Sequence, residues 1–280
     1  MPKYHFITGL PRSGSTLLAA ILRQNPCFHA GMTSPVGSLF SAMSQQYAAG
    51  SEFGPVVSRE QRRRLTRAVF DAYYAEQVDK KIIFDTNRLW AARMPLVLDQ
   101  FPDAKVIACV RNVAWVMDSL ERQYRNNPYE NTRLFGLHAG RSTVYQRTEL
   151  MAQHDQLVGF AWSALREAFY GEQARSLLVI DYDLLTQAPA KVMELLYQFI
   201  GEKPFAHDFD NVQYDAPEFD HALGVPGLHS VRTKVEYNER RTLLPPDLFD
   251  KYNKMTFWTD TAGSAANVIA PKTTRADHHG

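Results

Sequence analysis

The sequence predicts an α/β fold, a P-loop-like three-layer arrangement in which helices flank a central, mainly parallel β-sheet. The first observation behind it is the strand, turn and helix pattern of residues 4–22. The second is that apolar runs of strand length alternate along the chain with segments whose apolar residues recur at helical spacing. Such alternation is typical of βαβ units, whose strands lie parallel in one sheet.

The predicted elements follow in order along the chain. The strand at residues 105–112 is the clearest, and a helix carrying Val116, Leu120 and Tyr124 follows it at once. Residues 27–38 and 126–142 are rich in turn-forming residues and are predicted to be loops. The predicted strands are 4–8, 81–87, 105–112 and 177–182, and the predicted helices are 15–22, 39–46, 58–77, 89–101, 113–124, 144–171, 190–200 and 247–252.

The composition is that of a folded domain. A chain of 280 residues with 45% hydrophobic and 22% charged residues can bury a large core, and we predict a single domain over residues 1–258. Residues 259–280 are small or polar without periodicity, which predicts a flexible tail. The start of the chain, Met1-Pro2-Lys3-Tyr4, runs directly into the first strand, and no apolar run reaches the length of a membrane span. We therefore expect a soluble, cytoplasmic protein.

Charge and cysteine content argue against several kinds of partner. The formal net charge of +1 gives no general electrostatic reason to expect nucleic acid or an anionic membrane, so an anion site has to be local. Cys27 and Cys109 show neither C-x-x-C nor paired Cys/His spacing, so neither a disulfide framework nor a zinc site is expected. The sequence leaves a homo-oligomer open.

The turn between the first strand and the first helix has the spacing of an anion site. Gly9 and Gly14 stand five residues apart, which lets backbone N–H groups surround a phosphate-like anion at the positive end of the helix. The frame is that of a nucleotide P-loop, but Ser15 occupies the position of the lysine. Arg12 instead suits a smaller anion held by a planar, bidentate guanidinium. An ordinary glycine-containing turn with an incidental arginine is the alternative.

The same turn carries a family resemblance. The pattern P-R-S-G-S-T at residues 11–16 resembles the 5′-phosphosulfate-binding loop of the sulfotransferases, which take their sulfuryl group from 3′-phosphoadenosine-5′-phosphosulfate (PAPS). The resemblance covers about residues 4–258 and is closer to the tyrosylprotein-like and bacterial branch than to the cytosolic steroid and phenol enzymes. It implies that the donor is bound here by Arg12, Ser13, Gly14, Ser15 and Thr16.

Three later places are similar to the same family. Arg111 with Ser119 eight residues on resembles the family's 3′-phosphate-binding motif, and Tyr182 matches the tyrosine that lies against the donor nucleotide. The loop at residues 227–234 resembles one that family members fold over the donor, which makes Ser230, Arg232 and Lys234 candidates. The alternatives are an ordinary surface arginine for Arg111, an ordinary helical serine for Ser119 and a partly buried tyrosine for Tyr182.

The general base is where the chain departs from the family. Cytosolic members have a histidine just after the second strand, whereas this chain has Asp85 at the corresponding strand end. Burial would raise the pKa of such a carboxyl group enough for it to accept a proton. An aspartate that pairs with Arg88 or caps a helix would explain it equally well. His29, in the predicted loop after the first helix, is the next candidate base, and Arg88 is a candidate for charge stabilisation.

The resemblance implies a PAPS-dependent sulfotransferase that transfers a sulfuryl group in line to a hydroxyl or phenol acceptor and releases PAP. The acceptor is a small molecule or a peptide. No metal is expected, because Arg12 and the helix dipole would take the place of Mg²⁺. Two other functions stay open: a P-loop small-molecule kinase, against which the missing lysine argues, and a non-catalytic nucleotide-binding module, which an unclear base favours.

Overall fold

The computed structural model describes residues 2–48, 50–126, 142–224, 226–231 and 234–271. In this part of the chain, six strands form one sheet in the order β2-β3-β1-β4-β5-β6, and each neighbouring pair is parallel. The predicted α/β class with a parallel central sheet is confirmed. The strands are β1 Lys3–Gly9, β2 Phe28–Thr33, β3 Ile82–Thr86, β4 Val106–Val110, β5 Leu177–Asp181 and β6 Asn267–Ile269.

Helices cover both faces of the sheet. Side chains of successive strand residues point to opposite faces, so Phe6 joins one apolar cluster with Trp90 and Leu165, whereas Ile7 joins the other with Leu18. This alternation produces the predicted three layers. The helices are α1 Ser15–Leu22, α2 Val36–Gln46, α3 Arg59–Tyr73, α4 Leu89–Ala92, α5 Met94–Gln100, α6 Val113–Asn126, α7 Val144–Met151, α8 Leu157–Tyr170, α9 Tyr182–Gln187, α10 Pro189–Ile200, α11 Pro217–Leu223 and α12 Pro246–Asn253.

The two edge strands differ from the sequence prediction. β2 lies inside the predicted loop at residues 27–38, and β6 lies inside the predicted tail, where Val268 pairs with Val179 of β5. Both strands are short and show no periodic pattern of their own in the sequence. Each is held by its pairing with one neighbouring strand. This part of the predicted tail is therefore folded onto the sheet. The predicted loop at 126–142 lies, apart from its two ends, outside the described residues.

The strand order determines where a ligand can bind. β1 and β4 are neighbours, but the chain leaves β1 toward β2 and leaves β4 toward β5, in opposite directions along the sheet. Ligands of open α/β sheets bind at such a point, outside the carboxyl ends of the strands. The turn after β1, the end of β3 and the start of α6 all meet there. None of the helices in the described ranges is both long enough and apolar enough to cross a membrane.

Candidate active site

The turn after β1 is held tightly against the end of β4. Gly9 has a φ of 121°, and a Cβ atom on it would lie 2.0 Å from the backbone oxygen of Cys109, so only glycine fits. The Leu10 N–H donates to the same oxygen over 3.0 Å. Ser13 is fully buried, and its hydroxyl also donates to Cys109 O, over 2.7 Å. The Ser13 side chain therefore fixes the turn and does not face the cavity.

A cavity of about 640 Å³ opens above this turn, at the carboxyl ends of the strands. Residues from the turn, from the start of α6, from α9 and from the segment after α11 surround it. The structure thus brings together groups as far apart in the sequence as Thr8 and Arg240. The residues of the sequence prediction that line it are Arg12, Gly14, Ser15, Thr16, Arg88, Arg111, Ser119, Tyr182, Ser230 and Lys234.

Arg12 connects three parts of this cavity. Its Nε donates to Ser119 Oγ over 3.2 Å, and its Nη1 donates to the backbone oxygen of Leu228 over 2.7 Å. The backbone of Arg12 has a φ of 59°, a left-handed conformation that costs a non-glycine residue about 1 kcal/mol. Burial lowers the pKa of Arg12, although an arginine stays charged throughout the physiological range. Arg12, with its strained backbone and desolvated guanidinium, therefore lies between the two predicted donor-binding motifs.

Arg111 and Tyr182 form a stacked pair beside the turn. The Arg111 Cζ lies 4.3 Å from the centroid of the Tyr182 ring, a cation–π distance. Arg111 Nε is 3.8 Å from Asp183 Oδ1, too far for a hydrogen bond, and among the described residues both buried atoms lack a hydrogen-bond partner. Burial raises the pKa of Asp183, and the charge of Arg111 opposes that shift. The Arg111 guanidinium therefore has capacity left for an anionic ligand.

Arg240 is a cationic residue of the cavity that the sequence did not single out. Its Nη2 lies 2.9 Å from Oδ2 of Asp118, a fully buried carboxylate on α6 that also pairs with Arg122. Burial is the main cause that lowers the pKa of Arg240, and Asp118 opposes it. Arg240 lies six positions beyond Lys234 in a segment without periodicity. Only a search for arginine and lysine residues beyond the family-like loop at residues 227–234 could have found Arg240.

The segment after α11 carries a hydrogen-bonded histidine and aspartate. His229 lines the cavity, and its Nδ1 lies 2.5 Å from Oδ1 of Asp220. Asp220 is fully buried, and its Oδ2 accepts the backbone N–H of His229 over 2.8 Å. The loop around His229 resembles a family loop in sequence, but that resemblance gives His229 itself no role. Its partner could not be recognised, because two residues nine positions apart in an aperiodic segment carry no contact signal.

Asp85 does not line the cavity. The carboxylate is fully buried, and it accepts hydrogen bonds from Ser34 Oγ over 2.6 Å, Tyr74 OH over 2.6 Å and Trp90 Nε1 over 2.7 Å. Burial raises the pKa of Asp85, which is the predicted direction, and the three hydrogen bonds oppose that shift. In the described part of the chain no ion pair joins Asp85 to Arg88. With its acceptor sites in use and no solvent access, Asp85 cannot reach an acceptor hydroxyl.

His29 also lies away from the cavity. It is on β2 rather than in a loop, and its ring meets that of Tyr74 edge to face at 5.4 Å. Burial lowers the pKa of His29, and a hydrogen bond with Gln77 opposes this shift. Arg88, in contrast, lines the cavity with an exposed side chain and forms no ion pair with any described residue.

The remaining predicted residues of the late loop are only partly placed. Ser230 Oγ donates to Asp215 Oδ1 over 2.8 Å. Lys234 Nζ lies 3.1 Å from Asp210 Oδ1 in an exposed pair, and this hydrogen bond raises the pKa of Lys234. Both residues line the cavity with their polar atoms already paired. Arg232 lies outside the described residues.

Known proteins resemble this chain in sequence and in fold. Nodulation protein NoeE of Sinorhizobium fredii (strain NBRC 101917 / NGR234) is 25% identical over 240 residues, which are 76% of this chain and 53% of that protein, so the chain spans about half of its length. The sulfotransferase domain from the curacin biosynthetic pathway superposes with a TM-score of 0.52 at 18% identity, over 91% of this chain and 92% of that domain. Mouse sulfotransferase SULT7A1, solved in complex with PAP, gives a TM-score of 0.49 at 14% identity, over 93% of this chain and 86% of that one. The model of the sulfotransferase family matches residues 5–206, and the chain belongs to that family.

Proposed function

We propose that this sulfotransferase takes its sulfuryl group from PAPS and transfers it to a hydroxyl or phenol oxygen, releasing PAP. The observation that carries the proposal is the position of Arg12 between the two predicted donor motifs. Its backbone belongs to the phosphosulfate loop, and its Nε donates to Ser119 of the 3′-phosphate motif. One side chain thus joins the groups that a donor with phosphates at both ends of its ribose requires.

The 5′ end of the donor would bind at the start of α1. Gly14 is the residue before this helix. The backbone N–H groups of Ser15 and Thr16 belong to the first turn, have no acceptor within the helix and lie at the positive end of its dipole. Both residues line the cavity, and so does Arg12. Charge that builds up on the bridging oxygen during transfer would be stabilised by these donors without reorganisation.

The 3′-phosphate would bind where the cations cluster. Arg111 Nε has no hydrogen-bond partner among the described residues, and Arg240 is held beside the cavity by Asp118. Three guanidinium groups, counting Arg12, suit a doubly charged phosphate better than a neutral ribose hydroxyl. The ring of Tyr182 would lie against the nucleoside and is fixed in place by the Arg111 guanidinium.

Transfer itself would join the acceptor oxygen to sulfur while the bond between sulfur and the bridging oxygen of PAP breaks. Arg88 projects into the cavity from the end of β3 and forms no ion pair with the described residues, so its charge is available for the sulfuryl oxygens. The acceptor would enter beside it, in line with the leaving PAP.

A nucleotide-binding module without turnover is the second candidate. It gains support because Asp85 and His29, the bases that the sequence suggested, do not line the cavity. A kinase receives no comparable support, since Ser15 occupies the lysine position of the P-loop frame.

Thermal unfolding with PAP, AMP and ATP·Mg²⁺ tests the donor proposal. A ligand at about 100 times its Kd stabilises the fold by roughly 2.7 kcal/mol, so a clear preference for PAP over AMP is expected. Transfer of ³⁵S from labelled PAPS to a panel of phenols and alcohols then separates the enzyme from the binding module. Equal shifts with PAP and AMP, or a larger shift with ATP·Mg²⁺, would contradict the proposal.

A further inference from the structure

We infer that His229 is the general base of this enzyme and that Asp220 is the residue that positions it. The inference rests on the proposed function and adds the group that removes the acceptor proton. It is carried by the pairing of His229 Nδ1 with Asp220 Oδ1 at 2.5 Å and by the place of His229 in the wall of the cavity.

The contact with Asp220 determines which ring nitrogen is free. An ionised carboxylate only accepts hydrogen bonds, so Nδ1 carries a proton, and in the neutral imidazole Nε2 then presents its lone pair. Asp220 also accepts the backbone N–H of His229 over 2.8 Å, so one fully buried carboxylate holds both the ring and the main chain of the same residue. The ring of Phe219 meets the imidazole edge to face at 5.4 Å and limits its rotation.

The same loop is attached to the predicted donor site. The backbone oxygen of Leu228, the residue before His229, accepts the Nη1–H of Arg12 over 2.7 Å. His229 therefore follows directly after a residue that is hydrogen-bonded to Arg12, the side chain that would contact the donor. Placement of this kind brings a base and a bound donor to one acceptor molecule.

The step balances without a further reactant. As the acceptor oxygen bonds to sulfur, its proton moves to Nε2 of His229, and the electron pair of the breaking sulfur–oxygen bond stays on PAP. The imidazolium that forms is stabilised by the carboxylate of Asp220, and it returns its proton to solvent after the sulfated product leaves. Nothing is oxidised or reduced.

Glu236 is the competing carboxylate. It also lines the cavity, but it is exposed, and its Oε1 accepts a hydrogen bond from Asn238 over 3.2 Å. No buried partner orients it among the described contacts, in contrast to His229. Histidine is also the side chain that most often acts as a general base, so the oriented imidazole of His229 is the better candidate.

The experiment compares His229→Ala, His229→Gln, Asp220→Asn and Glu236→Gln with wild type. The matched control is His221→Ala, which changes an exposed histidine on α11. PAP binding is measured by thermal shift, and turnover of PAPS is measured with phenol, an aliphatic alcohol and water as acceptors. We expect both His229 variants to keep their PAP affinity within about twofold and to lose about 10²-fold or more in turnover. Added imidazole should restore part of the activity of His229→Ala, and His221→Ala should match wild type.

Two further measurements distinguish a base from a structural residue. Asp220→Asn should lower kcat at least about 10-fold while the KM for PAPS stays within about twofold, because it misorients the ring without touching the donor. The reverse transfer, from 4-nitrophenyl sulfate to PAP, should fall much less in His229→Ala, because 4-nitrophenolate leaves without needing a proton. A similar loss in both directions would contradict a role in proton transfer.

The other outcomes are equally decisive. Turnover of His229→Gln and His229→Ala at half the wild-type rate or more overturns the inference, and a loss confined to Glu236→Gln assigns the base to Glu236. Wild type that binds PAP but turns over PAPS with none of the acceptors also counts against a base in the cavity, while the donor site stands. Wild type that does not prefer PAP refutes the proposed function instead.

Discussion

A Cβ atom on Gly14 would lie 2.7 Å from Cδ2 of Tyr182, so the end of the phosphate turn packs directly against this ring. Gly14 also has a φ of 92°, which side-chain-bearing residues rarely adopt. The ring of Tyr182 in turn carries the Arg111 guanidinium at 4.3 Å. Residues that follow β1, β4 and β5 are thereby packed into one stack at the edge of the sheet, and the position of the turn depends on that of the ring.

Gly14→Ala should therefore weaken PAP binding at least about 10-fold, because the new methyl group displaces the ring or the turn. Gly201→Ala is the matched control: Gly201 also has a positive φ, of 72°, but no atom of the described residues lies within 4 Å of the position of a Cβ atom. Both variants should lose about 1 kcal/mol of stability through backbone strain. Isothermal titration with PAP and urea unfolding measure the two effects, and equal PAP affinities for both variants would refute the role of the ring contact.

Arg240 gives a prediction about nucleotide selectivity. Arg240→Gln should lower the affinity for PAP at least about 10-fold and leave that for AMP within about twofold, because a charge-assisted contact to the 3′-phosphate is lost. Its exposed neighbour supplies the control, since Arg241→Gln should change neither affinity. Titration of each variant with both nucleotides measures the ratio. An equal loss for PAP and AMP would show that Arg240 acts on the fold or on the 5′ end.

The parts of the site that the sequence could predict are those that local spacing determines. The five-residue spacing of Gly9 and Gly14 indicates the turn between the first strand and the first helix, and Arg111 is recognisable at the end of an apolar strand. Both signals lie within a few residues. The cavity then brings Arg12, Arg111 and Tyr182 together because parallel strands end at the same edge of the sheet.

The rest of the site depends on contacts that no local pattern records. Asp85 has the sequence position of a catalytic group, yet Ser34, Tyr74 and Trp90 surround it with donors from three different segments. His229 and Asp220 meet through a loop without periodicity. Burial and hydrogen bonding between distant segments decide which polar residue is structural and which is free to react, and these become visible only in the folded chain.

Asp85 should prove important for stability rather than for turnover. Asp85→Asn places an NH₂ group among three hydrogen-bond donors, so we expect a loss of about 2–4 kcal/mol in the free energy of unfolding. Ser34→Ala, which removes one donor, should lose about 1 kcal/mol. Urea unfolding measures both, and the kcat of the folded protein should stay within about threefold of wild type. A stable Asp85→Asn variant without PAPS turnover would restore Asp85 as the base.

His5 predicts how stability depends on pH. It is buried on β1, where its Nδ1 accepts the Lys105 N–H over 3.0 Å and where its Nε2 has no partner among the described residues. Burial, with the charges of Lys3 and Lys105, lowers the pKa of His5 to about 4. The unfolded chain, with a histidine pKa near 6.5, binds a proton in the interval between about 4 and 6.5 that the folded chain does not bind. The free energy of unfolding therefore rises with pH across this interval, and the contribution of His5 is lost as the pH falls through it.

His5→Asn should remove that dependence, because the amide oxygen can accept the Lys105 N–H at every pH. Relative to the variant, wild type should lose about 2 kcal/mol between pH 6.5 and pH 4.5, since each unit of pKa difference corresponds to about 1.36 kcal/mol. Urea unfolding of both proteins at pH 7.5, 6.5, 5.5 and 4.5 measures the difference, in which the other titrating groups cancel. A difference that stays constant across the four pH values would show that His5 is not the buried neutral histidine described here.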